Sequence, residues 1–308
     1  WARLSAGFYP SSDFQGHAML DVPLQRVAAI HDLSGFGRAS LTVVIPILAS
    51  MGVQVCPLPT AVLSSQTSGV EGFTFHDLTS EMGPMLDHWE SMGLKFDAVY
   101  SGFLGNPRQL EIAARCIRDF LRPGGFALVD PVLGDNGVLD PTQTPEMVEA
   151  MRRLVRHAHV ISPNLTEAAF LLNEPFCPGL SRQDLKAQLV RLADMGPDRV
   201  IITSAPSERK GFCAAVAYDR EQNRFWKVES PWIPAFYPGT GDTFSSVLAG
   251  AFLQGDSLPV ALERAVRFVT LGIRVTFGYD TRHSDGVLLE RTLPALRDRC
   301  DIGGYSAF

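Results

Sequence analysis

Residues 238–244 read Pro-Gly-Thr-Gly-Asp-Thr-Phe and lead directly into a stretch with helical periodicity. Its apolar residues fall on one helical face: Phe244, Val247, Leu248 and Ala251. The two glycines expose backbone N–H groups at the positive end of the helix dipole, which predicts an anion site. A carboxylate beside an anion site repels phosphate, so Asp242 is predicted to be a base placed where charge develops. Helix capping is the alternative for Asp242, since Asp is favoured in a first turn.

Short apolar runs of strand length recur upstream of this helix. Most of them lack apolar/polar alternation, which is typical of strands covered on both faces. The runs are Val27–Ile30, Gln54–Pro57, Ala98–Tyr100, Phe126–Val129, His159–Ile161 and Arg199–Ile202. Helical patterns lie between them, and this alternation predicts an α/β fold with a parallel sheet covered by helices on both sides.

The helical patterns place apolar residues at i, i+3, i+4 and i+7. Residues 41–48 follow this spacing, although Pro46 is expected to kink the helix. Residues 112–117 repeat it, and Pro123-Gly124-Gly125 is expected to end that helix. Further helices are predicted over residues 241–254, 258–274 and 290–299.

The pattern changes in the last third of the chain. Residues 212–218 and 225–228 flank a polar stretch and predict a β-hairpin. No shift in composition separates two halves, so a single domain over residues 25–308 is predicted, although the length also fits two average domains. Residues 1–24 lack periodicity and are predicted to be an N-terminal extension or the remnant of an expression tag.

Composition narrows the functional classes. The chain has 308 residues, 46% of them hydrophobic, which is enough for a large buried core. Its net charge is -6 and it has no basic run, which argues against nucleic acid as a partner. No apolar stretch approaches the ~18 residues that span a bilayer, so no membrane partner is expected. The five cysteines are odd in number and widely spaced, which argues against zinc and favours a reducing, cytoplasmic location.

Ligands of such sheets bind outside the carboxyl ends of the strands. The residues predicted to follow the strands are small, polar or acidic, and they include Asp32, Ser34, Ser162, Thr203 and Ser204. This edge of the sheet is therefore predicted to hold a polar ligand.

Two acidic positions at this edge have both a functional and a structural interpretation. Asn164 and Glu167 lie three residues apart on one helical turn and suit Mg²⁺, bound directly or through water. The same pair is close to a capping box, which needs no ligand. Asp130 precedes Pro131, so it fits either a second acidic group at the site or a turn-forming Asp-Pro pair.

Other nucleotide-binding and hydrolase motifs are weak or absent from the sequence. Residues 35–40 could be taken for a dinucleotide fingerprint, but Ser40 stands in place of its last glycine. None of the four lysines follows a glycine, which excludes a P-loop, and no Gly-x-Ser-x-Gly elbow occurs. The histidines lack metal-binding spacing, so His31 and His159 are expected in core or surface roles.

The motifs together resemble the ribokinase-like superfamily and, within it, the pyridoxal/pyridoxamine kinases of vitamin B6 salvage. The resemblance runs from about Arg26 to Leu296, and its motifs are Gly239–Asp242, Asp130–Gly134, Asn164–Glu167, Ser101–Gly105 and Thr60–Thr67. It implies a three-layer α/β/α fold with a mostly parallel central sheet and the late hairpin. It also implies ATP and Mg²⁺ as cofactors, a monovalent cation such as K⁺, and a homodimer.

The resemblance assigns roles to individual residues of this chain. Asp242 is implied as the catalytic base, and Gly239, Thr240 and Gly241 as the anion hole. The implied nucleotide and magnesium groups are Asp130, Ser162, Asn164, Glu167, Thr203 and Ser204, with Asp130 and Glu167 nearest the metal. The implied substrate groups are Asp32, Ser34, Thr67 and Asp242.

Two departures from the pyridoxal kinase pattern bear on the substrate. Residues 65–67 read Ser-Gln-Thr where those kinases often carry Asn-His-Thr, and Asp32–Gly35 resembles the Asp-Pro-Ser-Gly of hydroxymethylpyrimidine kinases. The expected reaction is ATP-dependent phosphorylation of the 5'-hydroxymethyl group of a B6 vitamer. A hydroxymethylpyrimidine kinase is the alternative, followed by a sugar kinase and a non-catalytic B6-binding protein on the same fold.

Overall fold

The computed structural model describes residues 24–279, 281–297 and 302–308. Its strands are β1 (Arg26–Ser34), β2 (Gln54–Leu63), β3 (Phe75–Asp77), β4 (Phe96–Ser101), β5 (Leu121–Val129), β6 (Gly134–Asp135), β7 (Val138–Leu139), β8 (Val160–Ile161), β9 (Arg199–Pro206), β10 (Phe212–Asp219), β11 (Arg224–Pro231) and β12 (Tyr305–Ala307). The predicted extension lies almost entirely outside the described residues.

The helices alternate with the strands through most of the chain. They are α1 (Leu41–Ser50), α2 (Thr79–Ser91), α3 (Pro107–Phe120), α4 (Pro145–Val155), α5 (Leu165–Leu172), α6 (Arg182–Ala193), α7 (Thr240–Leu253), α8 (Leu258–Phe277) and α9 (Leu289–Thr292). Two 3₁₀ helices cover His283–Asp285 and Leu293–Leu296. Among the described residues no helix is long and apolar enough to cross a bilayer.

Ten of these strands form one sheet in the order β12-β11-β10-β9-β8-β5-β4-β1-β2-β3. Neighbouring strands from β9 to β2 run parallel, whereas β3 at one edge and β10 to β12 at the other are antiparallel. The antiparallel pair β10 and β11 is the predicted hairpin. This order brings the carboxyl ends of the parallel strands to one edge of the sheet.

Apolar layers cover both faces of the sheet. Alternate residues of β1 belong to opposite layers: Ala28 and Ile30 pack with α2 to α6, and Val27 and Ala29 pack with α1, α7 and α8. All four side chains are fully buried. The apolar runs therefore lack polar residues because helices cover both faces of the strands, as predicted. The three-layer α/β/α architecture is confirmed.

Several predicted boundaries differ from the structure. Strand β1 runs on to Ser34 because β2 continues beside it to Leu63, so Asp32 lies within a strand and not after it; the pairing is irregular at this point. Thr203 and Ser204 likewise belong to β9. The last predicted helix, near residues 290–299, is shorter and irregular where the structure describes it. Helix α9 ends at Thr292 and a 3₁₀ helix follows over Leu293–Leu296, where Pro294 has no N–H to continue the α-helical ladder.

Candidate active site

A cavity of about 640 Å³ opens at the carboxyl edge of the parallel strands. Every residue that the sequence assigned to the site lines it: Asp32, Ser34, Thr67, Asp130, Ser162, Asn164, Glu167, Thr203, Ser204, Gly239, Thr240, Gly241 and Asp242. Residues from more than 200 positions apart thus share one space. The topology explains this, since the loops that follow parallel strands meet at one edge.

The N-terminus of α7 forms one wall of the cavity. Gly239 is its N-cap, with a φ of 77°, and no side chain caps the helix. A Cβ atom on Gly239 would lie 2.0 Å from the carbonyl oxygen of Arg38, so only glycine fits. The first N–H groups of α7 therefore stay free of side-chain acceptors, as an anion site requires.

Asp242 is the third residue of α7, but it does not cap that helix. Its Oδ2 accepts a hydrogen bond of 2.8 Å from the backbone N–H of Ser40, at the start of α1. Its Oδ1 lies 3.7 Å from Nδ1 of His31, and the side chain is 13% exposed. The capping alternative for Asp242 is thus not what the structure shows. The carboxylate is held across the cavity by another part of the chain.

The surroundings of Asp242 make it a better base than an ordinary carboxylate. Burial and, to a smaller extent, the negative charge of Asp32 raise the pKa of Asp242 to about 6, although the Ser40 hydrogen bond lowers it. A base whose pKa lies close to neutral pH is still ionised at pH 7 and holds a proton well during transfer.

Ser40 is a part of the site that the sequence analysis missed. Its backbone has a φ of 52°, which is unusual for a residue other than glycine. In this conformation its N–H reaches Asp242 while its hydroxyl donates to Oδ1 of Asp32. Asp32 also accepts from the Ser34 hydroxyl at 2.9 Å, and burial raises its pKa against these two hydrogen bonds. The available signal was that Ser40 stands where a glycine motif would place its last glycine.

Asp130 directly follows the last residue of β5. Its Oδ2 accepts a 3.0 Å hydrogen bond from Ser245 of α7, and the Ser245 hydroxyl lies 2.9 Å from that of Ser162. Burial, followed by the charge of Asp242, raises the pKa of Asp130 to about 7. Asp130 is therefore not only a turn former, because its carboxylate faces α7 inside the cavity.

Asn164 and Glu167 form the capping box that was the structural alternative for them. The Glu167 N–H donates to Asn164 Oδ1 at 2.9 Å, and the Asn164 N–H donates to Glu167 Oε2 at 2.8 Å. Glu167 Oε1 accepts a further bond of 3.2 Å from the Leu133 N–H. Burial and the charge of Asp130 raise the pKa of Glu167 well above its usual value.

Each Glu167 oxygen accepts one of these hydrogen bonds and keeps a second lone pair, so the capping box does not use its full capacity as an acceptor. Among the described residues, no three His, Cys, Asp or Glu side chains are grouped as a direct metal site. Asp130 and Glu167 both line the cavity with carboxylate oxygens, the kind of donor that Mg²⁺ takes directly or through its waters.

Thr203 and Ser204 continue the wall beside β8. The Thr203 N–H donates to the Pro163 carbonyl at 3.0 Å, which joins the two strands at their ends. Ser204 has a φ of 56° inside β9. Both residues line the cavity together with residues of β10 and β11, such as Ala214 and Ser230.

Thr67 lines the opposite end of the cavity, and its neighbour Gln66 fixes the loop. The Gln66 amide donates to the carbonyls of Ser68 and Ser284 at 2.8 and 3.2 Å, and its oxygen accepts from the Ser68 N–H at 2.6 Å. The Gln66 amide is therefore committed to backbone groups, whereas Thr67 lines the cavity beside it together with Ser68.

In the part of the chain that the structure describes, the charged side chains that line the cavity are all acidic. The described residues that line it include no Lys or Arg but six acids, which are Asp32, Asp130, Asp135, Asp140, Glu167 and Asp242. A phosphate ligand in such a site is stable only with cations that neutralise both the ligand and the wall.

The fold and this site together define a kinase of the ribokinase-like superfamily that acts on a small molecule, as the sequence predicted. The phosphomethylpyrimidine kinase family matches residues 45–286, and the chain belongs to that family.

Related proteins cover nearly the whole chain. A protein from Bacteroides thetaiotaomicron, provisionally named a phosphomethylpyrimidine kinase and crystallised with pyridoxal, is 50% identical; the match covers 92% of this chain and 100% of that one with a TM-score of 0.89. The crystal structure of pyridoxal kinase from Lactobacillus plantarum is 30% identical and covers 89% and 96% with a TM-score of 0.81. A pyridoxal kinase from Burkholderia orbicola is 25% identical over 272 residues, or 84% of this chain and 91% of the relative.

Proposed function

We propose that this protein phosphorylates the 5'-hydroxymethyl group of a vitamin B6 vitamer at the expense of ATP. The observation that carries the proposal is the pairing of a free helix N-terminus with Asp242 in one cavity. An anion site next to a base is what phosphoryl transfer to a hydroxyl requires. The pyridoxal in the Bacteroides relative and the two pyridoxal kinases support the choice of substrate.

In this proposal the chain itself contributes positioning, charge stabilisation and a proton acceptor. Asp242 accepts the hydroxyl proton, held in place by the Ser40 N–H. The N–H groups of Gly239, Thr240 and Gly241 bind the oxygens of the transferred phosphoryl group, where negative charge develops. The flat heteroaromatic ring lies between Asp32, Ser34 and Thr67, whose polar groups face its substituents.

The nucleotide lies on the other side of Asp242 in this proposal, along Ser162, Asn164, Thr203 and Ser204. The excess of acids supports a cation requirement. Mg²⁺, when bound, neutralises the phosphate oxygens, and Asp130 and Glu167 would hold it through its water shell. A monovalent cation, a homodimer and a cytoplasmic location stay predictions of the sequence.

A hydroxymethylpyrimidine kinase is the second candidate. The family description and the resemblance of Asp32–Gly35 to the loop of those kinases favour it. Both candidates share the base and the anion site, so only the ring contacts distinguish them.

The test is a substrate panel under MgATP with pyridoxal, pyridoxamine, pyridoxine and hydroxymethylpyrimidine. We expect the highest kcat/KM for a B6 vitamer. A higher kcat/KM for hydroxymethylpyrimidine would move the assignment to the pyrimidine. Binding of pyridoxal without any ATP consumption would point to a non-catalytic B6-binding protein.

A further inference from the structure

His31 is a buried polar side chain that the mechanism above leaves unused. It is fully buried, and neither ring nitrogen has a hydrogen-bond partner among the described residues. A buried imidazole without partners is destabilising compared with an apolar side chain of similar size. The sequence analysis expected a core or surface role for this histidine, and a core role alone does not explain why a polar ring occupies the position.

The position of His31 is specific. Its Nδ1 lies 3.7 Å from Oδ1 of Asp242, and its ring packs edge to face against Tyr100 with 4.4 Å between centroids. On the remaining side, a Cβ atom at Gly102 would lie 2.4 Å from Nδ1 and Cε1 of the imidazole. The chain thus has a glycine where any other residue would displace this ring from Asp242.

The ring can donate only one hydrogen bond in this place. Burial lowers the pKa of His31 to about 3, so the imidazole is neutral and carries a single N–H. With the proton on Nδ1, the ring would carry a donor 3.7 Å from Oδ1 of Asp242. The other oxygen of Asp242 already accepts from the Ser40 N–H at 2.8 Å. Two donors from two elements would then fix the carboxylate in its plane.

The gap of 3.7 Å is about half an ångström longer than a hydrogen bond. Hydrogen bonds of catalytic groups are often long in the unliganded enzyme and shorten when the substrates bind. An approach of α7 to β1 by about half an ångström would close this gap.

We propose that His31 is a positioning residue, whose Nδ1–H donates to Oδ1 of Asp242 and orients that base for the substrate hydroxyl. The proposal rests on the proposed function for its kinetic consequence. The contact between the imidazole and the carboxylate does not depend on the proposed function.

The kinetic test compares His31→Asn with His31→Leu. The two replacements have nearly the same shape, but only Asn places an N–H donor near the position of Nδ1. We expect kcat to fall about tenfold in His31→Leu, the effect of losing one hydrogen bond, and to stay within about threefold of wild type in His31→Asn. The KM values for MgATP and the B6 substrate should stay within about twofold in both variants. Equal losses of kcat in the two variants, or a loss expressed in KM, would overturn the proposal.

A second measurement is independent of activity and uses a variant only to assign one signal. Histidine labelled with ¹⁵N reports by NMR which ring nitrogen carries the proton, and the signal missing in His31→Asn identifies residue 31. We expect a neutral Nδ1–H tautomer in the wild-type protein at pH 7. The Nε2–H tautomer would overturn the proposal, since Nδ1 would then have no proton to donate to Asp242. If the wild-type enzyme phosphorylates none of the panel substrates, the proposed function fails while the tautomer still decides the contact.

Discussion

Replacing Asp242 by Asn is the sharpest perturbation of the candidate site, because activity and stability should move in opposite directions. Asn has the same shape as Asp, and its amide oxygen can still accept the Ser40 N–H that now binds Oδ2 at 2.8 Å. The N-terminus of α7 keeps its Gly239 cap and its free N–H groups. What is lost is the group that can take the hydroxyl proton, so kcat should fall by roughly 10²–10⁴-fold.

The stability change follows from the pKa of Asp242. Burial raises this pKa from 3.8 to about 6, so the folded protein disfavours the ionised carboxylate. The difference corresponds to at most about 3 kcal/mol, since one pH unit is worth about 1.36 kcal/mol. The cost is absent below about pH 4, where the carboxyl is protonated in both states, and complete above about pH 6. Asp242→Asn should therefore be more stable than wild type at pH 8, by up to about 3 kcal/mol, and equal to it at pH 4.

Activity should show the complementary pH dependence. The base must be ionised to accept a proton, so kcat/KM of the wild type should rise with pH through about pH 6 and then level off. Steady-state kinetics between pH 5 and pH 8 measure this limb, and the same series on Asp242→Asn should lack it. Thermal unfolding at pH 4 and pH 8 gives the stability comparison.

Asp184→Asn is the matched control. Asp184 is also the third residue of its helix, α6, where it forms a capping box with Ser181. Its replacement should leave kcat unchanged and lower the stability slightly, the ordinary result of weakening a cap. Near wild-type turnover in Asp242→Asn, or a loss of stability like that of the control, would refute the assignment of Asp242 as the base.

Three further variants test other parts of the cavity. Asp130→Asn should raise the Mg²⁺ concentration for half-maximal activity by about 10–100-fold without loss of stability, as a titration of activity with Mg²⁺ would show; an unchanged Mg²⁺ response would leave Asp130 outside the metal site. Thr67→Val should lower kcat/KM for the preferred vitamer more than for hydroxymethylpyrimidine, and equal losses in the panel would remove Thr67 from the ring contacts. Gly239→Ala should abolish phosphorylation and lower Tm, because its Cβ would lie 2.0 Å from the Arg38 carbonyl oxygen at a φ of 77°; retained activity would show that α7 can shift without loss of the anion site.

The sequence predicted the strands and helices that have a local pattern of apolar residues. Strands such as Val27–Ile30 are covered on both faces, so their composition alone identifies a parallel sheet, and the hairpin of β10 and β11 carries its own turn signal. Elements that depend on distant partners had no such signal. Strand β12 exists because residues 305–307 pair with β11, and the extension of β1 to Ser34 depends on β2.

In the candidate site, too, only the features with a local sequence pattern could be predicted. Gly239 and Asp242 could be identified from their spacing, since an exposed helix N-terminus followed by a carboxylate is a local pattern. The surroundings of Asp242 could not be predicted, because the strand order alone brings the Ser40 N–H and the His31 ring next to it. Sequence reasoning also left open whether Asp242 or Glu167 caps its helix. The structure separates them, since Glu167 forms a capping box and Asp242 does not.

The carboxylates that line the cavity share one electrostatic property. The pKa values of Asp32, Asp130, Glu167 and Asp242 are all raised, each mainly by burial, so the folded protein disfavours their charge. Buried carboxylates repel the phosphates of a nucleotide that binds without cations. They favour binding of a nucleotide together with its cations, because the cations neutralise the charge of both the phosphates and the carboxylates. The same arrangement lowers the stability of the unliganded protein as pH rises from about 4 to 7. In the proposed reaction, therefore, the charge that makes Asp242 a base is also what makes the site depend on the cation that accompanies its nucleotide.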